Sequence, residues 1–567
     1  MEGIPFQVEG NRTDARIEQG DGHVDYGQLG SIPAGQDAAP AAERYGICSK
    51  GFARVLVATA GGFVLRHAEP DSGKLDFGRD SGRGSGMRKH GVPRRIAGQA
   101  LDRKRQELQE DCGELNYWVL PTKKMNERVR VIGGGLAGCE AALQLASRGF
   151  QVDLYEMRPV KQTPAHRDGH LAQLVCSNSF KALGITSAHG LLKAELTLLG
   201  SFLLECAREA AVPAGDSLTV NRDIFSELVE KKIAEFPNIT LHREEVTSLE
   251  GDCPTLVAAG PLASDALADD IFKRLGSNRL HFFDAIAPVV ETDSIDFDHA
   301  FYMNRWEKGE TADFINCPLD KETYAEFVRK LCEAEATEPR PFEKKELFEG
   351  CLPVEEMARR GYETLRHGPM RPIGLGLGNN GHLWYAVIQL RAENKQKTLF
   401  NMVGFQTRLK WGTQKEIFTM VPALRNAKFA RLGCMHRNTF IESPKFLDAT
   451  LRLRPELDCA KGIPPTWFAG QITGSEGYTE AVATGWYAAW NMAQTILHGH
   501  ADPLPEESCI GALMNRLVEE NEDFQPMNFN FGLLPHQDGL KKKNKKEILA
   551  GNAERAVREW IAARNNA

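Results

Sequence analysis

Three glycines follow a short apolar run with the spacing of a phosphate-binding turn. Gly133, Gly135 and Gly138 come directly after the run 129–132 and open a segment with helical pattern. In such a turn the first glycine permits a sharp bend, the second lets the backbone approach a pyrophosphate, and the third lets the helix pack closely on the strand. The helix N-terminus would present N–H groups and partial positive charge to the phosphates. The intervening positions of this predicted nucleotide-binding loop are Gly134, Leu136 and Ala137.

An acidic residue stands where a dinucleotide site needs one. Glu156 ends a second predicted strand, 151–156, and lies about 20 residues beyond the first glycine, the usual distance for a carboxylate that binds a ribose hydroxyl. Arg158, two residues later, could reach the adenosine ribose or a phosphate, or lie on the surface. Strand, glycine turn, helix and acid together predict a dinucleotide site, and the alternative is a glycine-rich structural turn.

A second glycine-rich junction occurs far downstream. The segment 465–481 contains a strand, then Gly470, Gly474, Glu476 and Gly477, then a helix. A late junction of this kind is typical of FAD folds, in which the second helix N-terminus faces the flavin and the pyrophosphate. This favours FAD over NAD as the tightly bound nucleotide. The alternative is a glycine turn that closes a domain.

The elements that must position these glycines alternate between strand and helix. Predicted helices cover 136–148, 188–209 and 222–236, the last capped by Asn221, and predicted strands cover 239–246 and 255–260. This indicates an α/β fold with a mainly parallel, doubly wound (Rossmann-like) sheet. Longer, aromatic-rich strands such as 383–390 and 401–406 indicate an inserted α+β domain. We place the FAD-binding domain at 125–290 and 431–567, the second part ending in a basic helix, and the insertion at 291–430.

Residues 1–124 differ in composition from the rest. Gly/Asp/Arg-rich stretches such as 76–86 dominate, and they bury too little apolar surface to offset chain entropy. The run 52–61 could be a strand or a helix, but it has no evident partner. We expect this extension to be poorly ordered, or to precede a true start near Met125, and the alternative is a small accessory domain.

Bulk properties bound the class of protein. The net charge of −7 argues against nucleic-acid binding by overall electrostatics, although a local basic patch would be enough. No apolar run approaches the length of a transmembrane helix. The 12 cysteines show no C-x-x-C pair and no zinc spacing, so we expect no metal site and a reducing cytoplasmic location.

Several longer motifs resemble one family. They lie at 154–166, 174–179, 348–355, 367–375, 385–391, 404–412 and 435–444. Together they are similar to those of the folate- and FAD-dependent tRNA (uracil-5-)-methyltransferases, the TrmFO family, from about Met125 to the C-terminus. The resemblance implies methylation of a T-loop uridine, position 54, in tRNA. It also implies 5,10-methylenetetrahydrofolate as carbon donor and FAD, reduced by NADH or NADPH, as hydride donor.

Two cysteines lie in these motifs, Cys176 and Cys351. A thiolate that adds to carbon 6 of uracil makes carbon 5 nucleophilic enough to attack a methylene group. We predict that one cysteine is this nucleophile, with Cys351 preferred, and that the other transfers a proton or contacts the flavin. Without the resemblance, a buried apolar cysteine is the simpler interpretation of each. Whether the flavin itself carries the methylene stays open.

The resemblance also indicates a folate-binding loop and RNA contacts. The predicted folate residues are His436, Arg437 and Asn438. The predicted RNA contacts, which combine cations with an aromatic ring, are Arg408, Lys410, Trp411 and Lys415, and Lys541 and Lys542 in the basic run 541–546. The alternative for each set is a solvated loop or face. A homodimer also stays open.

Other functions compete with this interpretation. A flavin oxidoreductase that acts on small molecules would need neither the cysteine pair nor the basic run. A relative of the wobble-uridine modifying FAD protein would be expected to carry a longer helical C-terminal domain for its GTPase partner. A non-catalytic flavin-binding scaffold is the weakest alternative.

Overall fold

The computed structural model describes two short strands near the N-terminus and most of the chain from residue 127 onward. The described residues are 53–59 and 62–68, as backbone, and 127–565 without 164, 278–279, 310, 337–351, 379–380, 382, 434, 458–462, 522–523 and 538–543. Residues 280–285 and 435–437 are described as backbone only. None of the helices in these ranges is long and apolar enough to span a membrane.

The described chain contains eighteen strands and thirteen α-helices. The strands are β1 (Ala53–Thr59), β2 (Gly62–Ala68), β3 (Arg128–Ile132), β4 (Gln151–Tyr155), β5 (Ser179–Ala182), β6 (Ala211–Val212), β7 (Ser217–Val220), β8 (Ile239–His242), β9 (Thr255–Val257), β10 (Leu280–Ala285), β11 (Val289–Glu291), β12 (Phe301–Tyr302), β13 (Phe314–Leu319), β14 (Ala386–Ala392), β15 (Leu399–Met402), β16 (Phe429–Arg431), β17 (Met435–Phe440) and β18 (Thr466–Phe468). The helices are α1 (Leu136–Ser147), α2 (Ala188–Leu198), α3 (Phe202–Glu209), α4 (Arg222–Ala234), α5 (Asp265–Leu275), α6 (Lys321–Glu333), α7 (Val354–Arg359), α8 (Thr364–His367), α9 (Trp411–Phe418), α10 (Ser443–Phe446), α11 (Tyr478–His498), α12 (Cys509–Val518) and α13 (Lys545–Asn565).

The two N-terminal strands belong to the first of two units of the chain and form a hairpin. Strand β1 pairs antiparallel with β2, from Ala53 opposite Ala68 to Thr59 opposite Gly62. The expectation that the run 52–61 has no partner is therefore wrong. Its partner, β2, follows after a two-residue connection and contains the apolar run 63–65. The rest of the predicted disordered extension lies outside the described residues.

A five-stranded parallel sheet organises the second unit. Its strand order is β8–β4–β3–β9–β18. The chain moves from β3 outward through β4 to β8, and then crosses to the other side of β3 for β9 and β18. In open α/β sheets ligands bind at the carboxyl ends of the strands where the winding reverses, here beside β3. The predicted α/β, doubly wound fold class is confirmed.

Helices α1 and α11 follow the two glycine junctions and contact each other closely. Ten residues of α1 are buried, most of them alanine, glycine or leucine. A methyl group placed on Gly485 of α11 would lie only 2.3 Å from the carbonyl oxygen of Ala137. The backbones of the two helices are therefore in contact, and this contact fixes the two junctions relative to each other.

The predicted helix 188–209 is two helices in the structure. Gly200 has a positive φ of 69°, and Ser201 begins α3 by accepting a hydrogen bond from the Leu204 N–H. A glycine followed by a serine cap ends one helix and starts the next more favourably than it continues a single helix. The predicted cap of α4 is confirmed, because the Asn221 side chain accepts from the N–H groups of Asp223 and Ile224.

Strands β11 to β16 build a second sheet, which is antiparallel. Its order is β12–β13–β14–β15–β11–β16, and helices such as α6 and α9 cover an apolar core that includes Phe327, Phe400, Phe405 and Phe418. The chain enters and leaves this region through β10 and β17, which pair antiparallel. This is the predicted α+β insertion, and the exact domain limits of 291 and 430 stay predictions.

Candidate functional site

An open cleft lies at the carboxyl ends of the parallel strands. Gly133, Glu156, Ala258 and Gly470, each one or two residues beyond the end of β3, β4, β9 or β18, all contribute to its wall, so four strands converge on one site. The predicted cofactor residues that line the cleft are Gly133, Gly135, Leu136, Ala137, Glu156, Arg158, Gly470, Glu476 and Gly477. Gly134, Gly138 and Gly474 are not among the lining residues.

The glycines of the first junction have two different roles. Two of them are needed for close packing, and one leaves space for a ligand. Gly133 has a φ of 108°, and a methyl group there would lie 2.3 Å from the carbonyl oxygen of Ala258. A methyl group on Gly138 would lie 1.7 Å from the Gly133 carbonyl oxygen. At Gly135, in contrast, a methyl group would meet no protein atom within 4 Å. The side-chain space of Gly135 therefore opens into the cleft, as close approach of a pyrophosphate requires.

Glu156 and Arg158 form a buried ion pair in the wall of the cleft. Arg158 donates from Nε to Oε1 of Glu156 at 2.8 Å and from Nη2 to Oε2 at 3.0 Å, and the Gly134 N–H also donates to Oε2 at 3.0 Å. Burial opposes ionisation of Glu156, but the hydrogen bonds and charge of Arg158 prevail, so the pKa of Glu156 is lowered. The carboxylate is thus ionised and fixed in orientation.

Arg158 keeps one donor for a ligand. The residue is 2% exposed, and its Nη1 atom is buried without a hydrogen-bond partner in the described part of the chain. A buried, unsatisfied guanidinium nitrogen carries a free-energy cost that a ligand oxygen would remove. Since Arg158 lines the cleft, this atom is suited to a ribose or phosphate oxygen.

The second glycine junction, in the segment 465–481, lines the same cleft. Gly477 is the residue before α11, and Gly135 is the residue before α1. Neither helix has a side-chain cap at its N-terminus, and both ends contribute to the cleft wall. Glu476 is buried, and its carboxylate accepts a short hydrogen bond from the Gln471 amide. Two helix N-termini therefore lie at one cavity, which suits the two phosphates of a dinucleotide.

Cys176 lines this cleft and is half-buried. Its N–H donates to the Tyr478 hydroxyl at 2.9 Å, and its carbonyl oxygen accepts from Nη2 of Arg222 at 3.2 Å. The Tyr478 hydroxyl also bonds to the neighbouring Ser177, as acceptor from its N–H and as donor to its carbonyl oxygen. Tyr478 is the first residue of α11, so the loop that carries Cys176 is attached directly to the second nucleotide junction.

The structure describes the remaining predicted residues to different extents. Asn438 is buried and lines the cleft. For His436 and Arg437 the structure gives the backbone alone, in β17 opposite Asp284 and Phe283 of β10. The predictions for Cys351, Lys541 and Lys542 lie outside the described residues.

The predicted RNA-binding residues lie around the start of α9. Arg408 is buried, and its guanidinium is paired with Glu356. The backbone N–H of Arg408 donates to Oε1 of Glu355 at 3.0 Å. This placement favours a structural role for Arg408 over a phosphate contact. Lys410 is exposed and paired with Glu335, whereas Lys415 and the aromatic Trp411 are exposed on α9.

Sequence reasoning missed several polar residues near the cleft. Lys193 is buried, and burial lowers its pKa to about 8 while the charge of Glu480 opposes the shift. His189, whose Nδ1 lies 3.5 Å from Oε1 of Glu480, lines the cleft beside them. Their positions on α2 and α11 gave no signal, because each fits an ordinary amphipathic helix. Tyr478 could have been found, since it directly follows Gly477.

The residues present fit a bound FAD. The Gly135 backbone leaves an open approach, Arg158 has an unsatisfied nitrogen, and two uncapped helix N-termini face one cavity. Among the described residues, no group of three His, Cys, Asp or Glu side chains could hold a metal ion. Fold and cleft define a doubly wound α/β protein of the FAD-binding class.

Comparison with known proteins assigns the family. Residues 128–500 match the family model described as "Glucose inhibited division protein A". A protein of Aquifex aeolicus named methylenetetrahydrofolate--tRNA-(uracil-5-)-methyltransferase TrmFO is 49% identical over 443 residues, which are 78% of this chain and 98% of the relative. The protein of that name from Geobacter sulfurreducens is 47% identical over 440 residues, 77% of this chain and 100% of the relative. The chain therefore belongs to the TrmFO family, as the sequence motifs predicted.

A solved structure supports the fold. Aquifex aeolicus GidA, in its form II crystal, superimposes with a TM-score of 0.55 at 17% identity, and the match covers 77% of this chain and 73% of GidA. The form I crystal gives a TM-score of 0.54 at the same identity. At this identity the similarity shows a shared architecture.

Proposed function

We propose that this protein transfers a one-carbon unit from 5,10-methylenetetrahydrofolate to carbon 5 of a uridine in tRNA, with FAD as its bound cofactor. The observation that carries the proposal is the position of Cys176 in the cleft formed by both glycine junctions. Close to half of the residues are identical to those of relatives named for this reaction, over nearly their whole length. A thiol in the nucleotide cleft is suited to the proton transfer that pyrimidine methylation requires.

The chemistry divides between two thiols. A thiolate that bonds to carbon 6 of uracil makes carbon 5 attack the methylene carbon of the folate. Carbon 5 then loses its proton to a base, the folate nitrogen leaves the methylene carbon, and hydride addition to the resulting exocyclic methylene expels the thiolate from carbon 6. Cys351 stays the predicted nucleophile, and Cys176 is assigned to proton transfer or to contact with the flavin. FAD, when bound and reduced by NADH or NADPH, would supply the hydride that completes the methyl group.

The substrate surfaces follow from the placement of the remaining residues. Asn438, together with its neighbours His436 and Arg437, is proposed to bind the folate where β17 reaches the cleft. Lys415 and Trp411 on α9 are proposed to contact the tRNA by charge and by stacking on an unpaired base. The proposed target is uridine 54 of the T-loop.

The test uses purified protein and an unmodified tRNA transcript. With NADPH and methylenetetrahydrofolate, mass spectrometry of digested tRNA should find 5-methyluridine at position 54, and a transcript with cytidine there should stay unmodified. Replacing Cys176→Ala or Cys351→Ala should abolish the product while the protein keeps its flavin absorbance. NADPH oxidation without modified RNA would instead support an oxidoreductase that acts on small molecules. Modification at the wobble position would support a relative of the wobble-uridine enzyme.

A further inference from the structure

A cluster of arginines lies under the loop that carries Cys176. Arg222 begins α4, Arg391 belongs to β14, and Arg431 ends β16, so three separate elements bring these guanidinium groups together. The carboxylate of Glu393 lies among them and forms an ion pair with Arg222, with Nε and Oε2 2.8 Å apart. None of the three arginines is among the residues that line the cleft.

Two of the arginines hold the cysteine loop directly. Arg222 donates from Nη1 to the Leu174 carbonyl at 2.7 Å and from Nη2 to the Cys176 carbonyl at 3.2 Å. Arg391 donates from Nε to Oδ1 of Asn178 at 3.1 Å. The loop is therefore fixed on both sides of Cys176 by side chains that also carry positive charge.

The third arginine is incompletely satisfied. The Nε and Nη2 atoms of Arg431 are buried and have no hydrogen-bond partner among the residues that the structure describes. Burial and then the charge of Arg222 lower the pKa of Arg431 to about 10, while the charge of Glu393 opposes this shift. Arg431 is therefore still a cation at neutral pH.

Charge in this cluster is unbalanced. Among the described groups that interact there, the cations are Arg222, Arg391, Arg431 and, acting on Arg431, Arg167, and the carboxylate is that of Glu393. Tyr478 faces the loop from α11, and burial raises the pKa of its phenol, so it stays neutral. Buried positive charge in excess needs an anion nearby. Within the described part of the chain, the ionisable group that remains next to these arginines is the Cys176 thiol.

We propose that Arg222, Arg391 and Arg431 stabilise the sulfur of Cys176 as a thiolate, with Arg431 as a positioning residue that supplies the least compensated charge. The thiol proton leaves to solvent. The inference deepens the proposed function and rests on it for its purpose, because a thiolate can accept the carbon 5 proton of uridine whereas a thiol cannot.

The test measures the ionisation of Cys176 without either substrate. The FAD-loaded protein is alkylated with iodoacetamide between about pH 5 and pH 9, and mass spectrometry follows the peptide that contains Cys176. The midpoint of the rate profile should lie below about 8.5, the ordinary pKa of a thiol. In Arg431→Met it should rise by about one pH unit, which lowers the rate at neutral pH roughly tenfold. Arg431→Lys should restore most of the shift.

A matched control separates charge from packing. Arg148 is also buried, with an unpartnered Nε, but it contacts the Gln144 carbonyl and the Trp490 ring instead of the cysteine loop. Arg148→Met should leave the Cys176 midpoint unchanged, and flavin absorbance and melting temperature report folding in every variant. If Arg431→Met does not fold, the inference is tested by whether the wild-type midpoint lies below about 8.5.

Two results would overturn the inference. They are a wild-type midpoint at or above the ordinary thiol value, and equal midpoints in wild type and Arg431→Met. Because the assay uses no tRNA and no folate, these results leave the proposed methyl transfer intact, and absence of 5-methyluridine would not alter the measured midpoint.

Discussion

At the scale of single residues, neighbouring glycines of one motif have different roles. Gly138 is needed because its position touches the backbone of the preceding turn, and Gly135 because its position must stay empty for a ligand. The motif pattern treats them alike. The structure predicts that substituting Gly138 damages folding and that substituting Gly135 damages cofactor binding.

We therefore expect Gly135→Val to fold but to lose FAD. Gly135 has a φ of −81°, which side chains tolerate, and a side chain there meets no protein atom at Cβ. The melting temperature of the protein without FAD should stay close to that of wild type, while FAD affinity should fall at least about tenfold, since a clash with phosphate costs more than 1.4 kcal/mol. Gly138→Ala should instead destabilise the protein by about 1–3 kcal/mol through overpacking. Full flavin occupancy in Gly135→Val would contradict this interpretation.

The sequence was sufficient for residues that act through local spacing. Glu156 and Gly477 were predicted because each lies at a fixed distance from a turn, and both are in the cleft. The ion pair between Glu156 and Arg158 was not predicted, because both side chains had been assigned to a ligand. The arginine cluster could not be predicted either, since Arg222 and Arg431 meet only after two different sheets have formed.

At the scale of elements, the crossing of α1 and α11 connects the two halves of the site. Composition predicted both helices, since each follows a glycine junction and is rich in small residues. Their contact was beyond sequence reasoning, because Gly485 lies in the middle of a helix where glycine has no conformational purpose. The break between α2 and α3 at Gly200 was not predicted, because the periodicity of leucines continues across it.

Gly485→Ala should push α11 away from α1 and separate the two junctions. The added methyl group would lie 2.3 Å from the Ala137 carbonyl oxygen, so the helices must move apart. We expect a loss of about 1–3 kcal/mol in the free energy of unfolding, together with weaker FAD binding. Gly551→Ala in α13 is the matched control, because its Cβ would meet nothing within 4 Å. It should be neutral or stabilising by up to about 1 kcal/mol. Similar effects of both substitutions in urea titrations would show that the crossing is not tight.

At the scale of the whole molecule, a net charge of −7 must be reconciled with the proposed polyanionic substrate. Overall electrostatics repel tRNA, so binding must rest on local cations. Of the predicted contacts in the described chain, Arg408 is buried against carboxylates, and Lys410 pairs with Glu335. Lys415 is left with Trp411, one helical turn earlier on the same face of α9.

Lys415→Ala should therefore weaken tRNA binding in a salt-dependent way. Removing one phosphate contact lowers the slope of log affinity against log salt concentration by about 1, and the effect should be larger at low salt. Trp411→Ala should weaken binding with little change in that slope, since stacking releases no counterions. Lys273→Ala, an exposed lysine at the end of α5, is the matched control and should leave the slope unchanged. Filter binding of tRNA transcript across a salt series distinguishes the three variants. Equal slopes for Lys415→Ala and Lys273→Ala would place the RNA contact elsewhere, because a lysine that neutralises a phosphate must release counterions on binding.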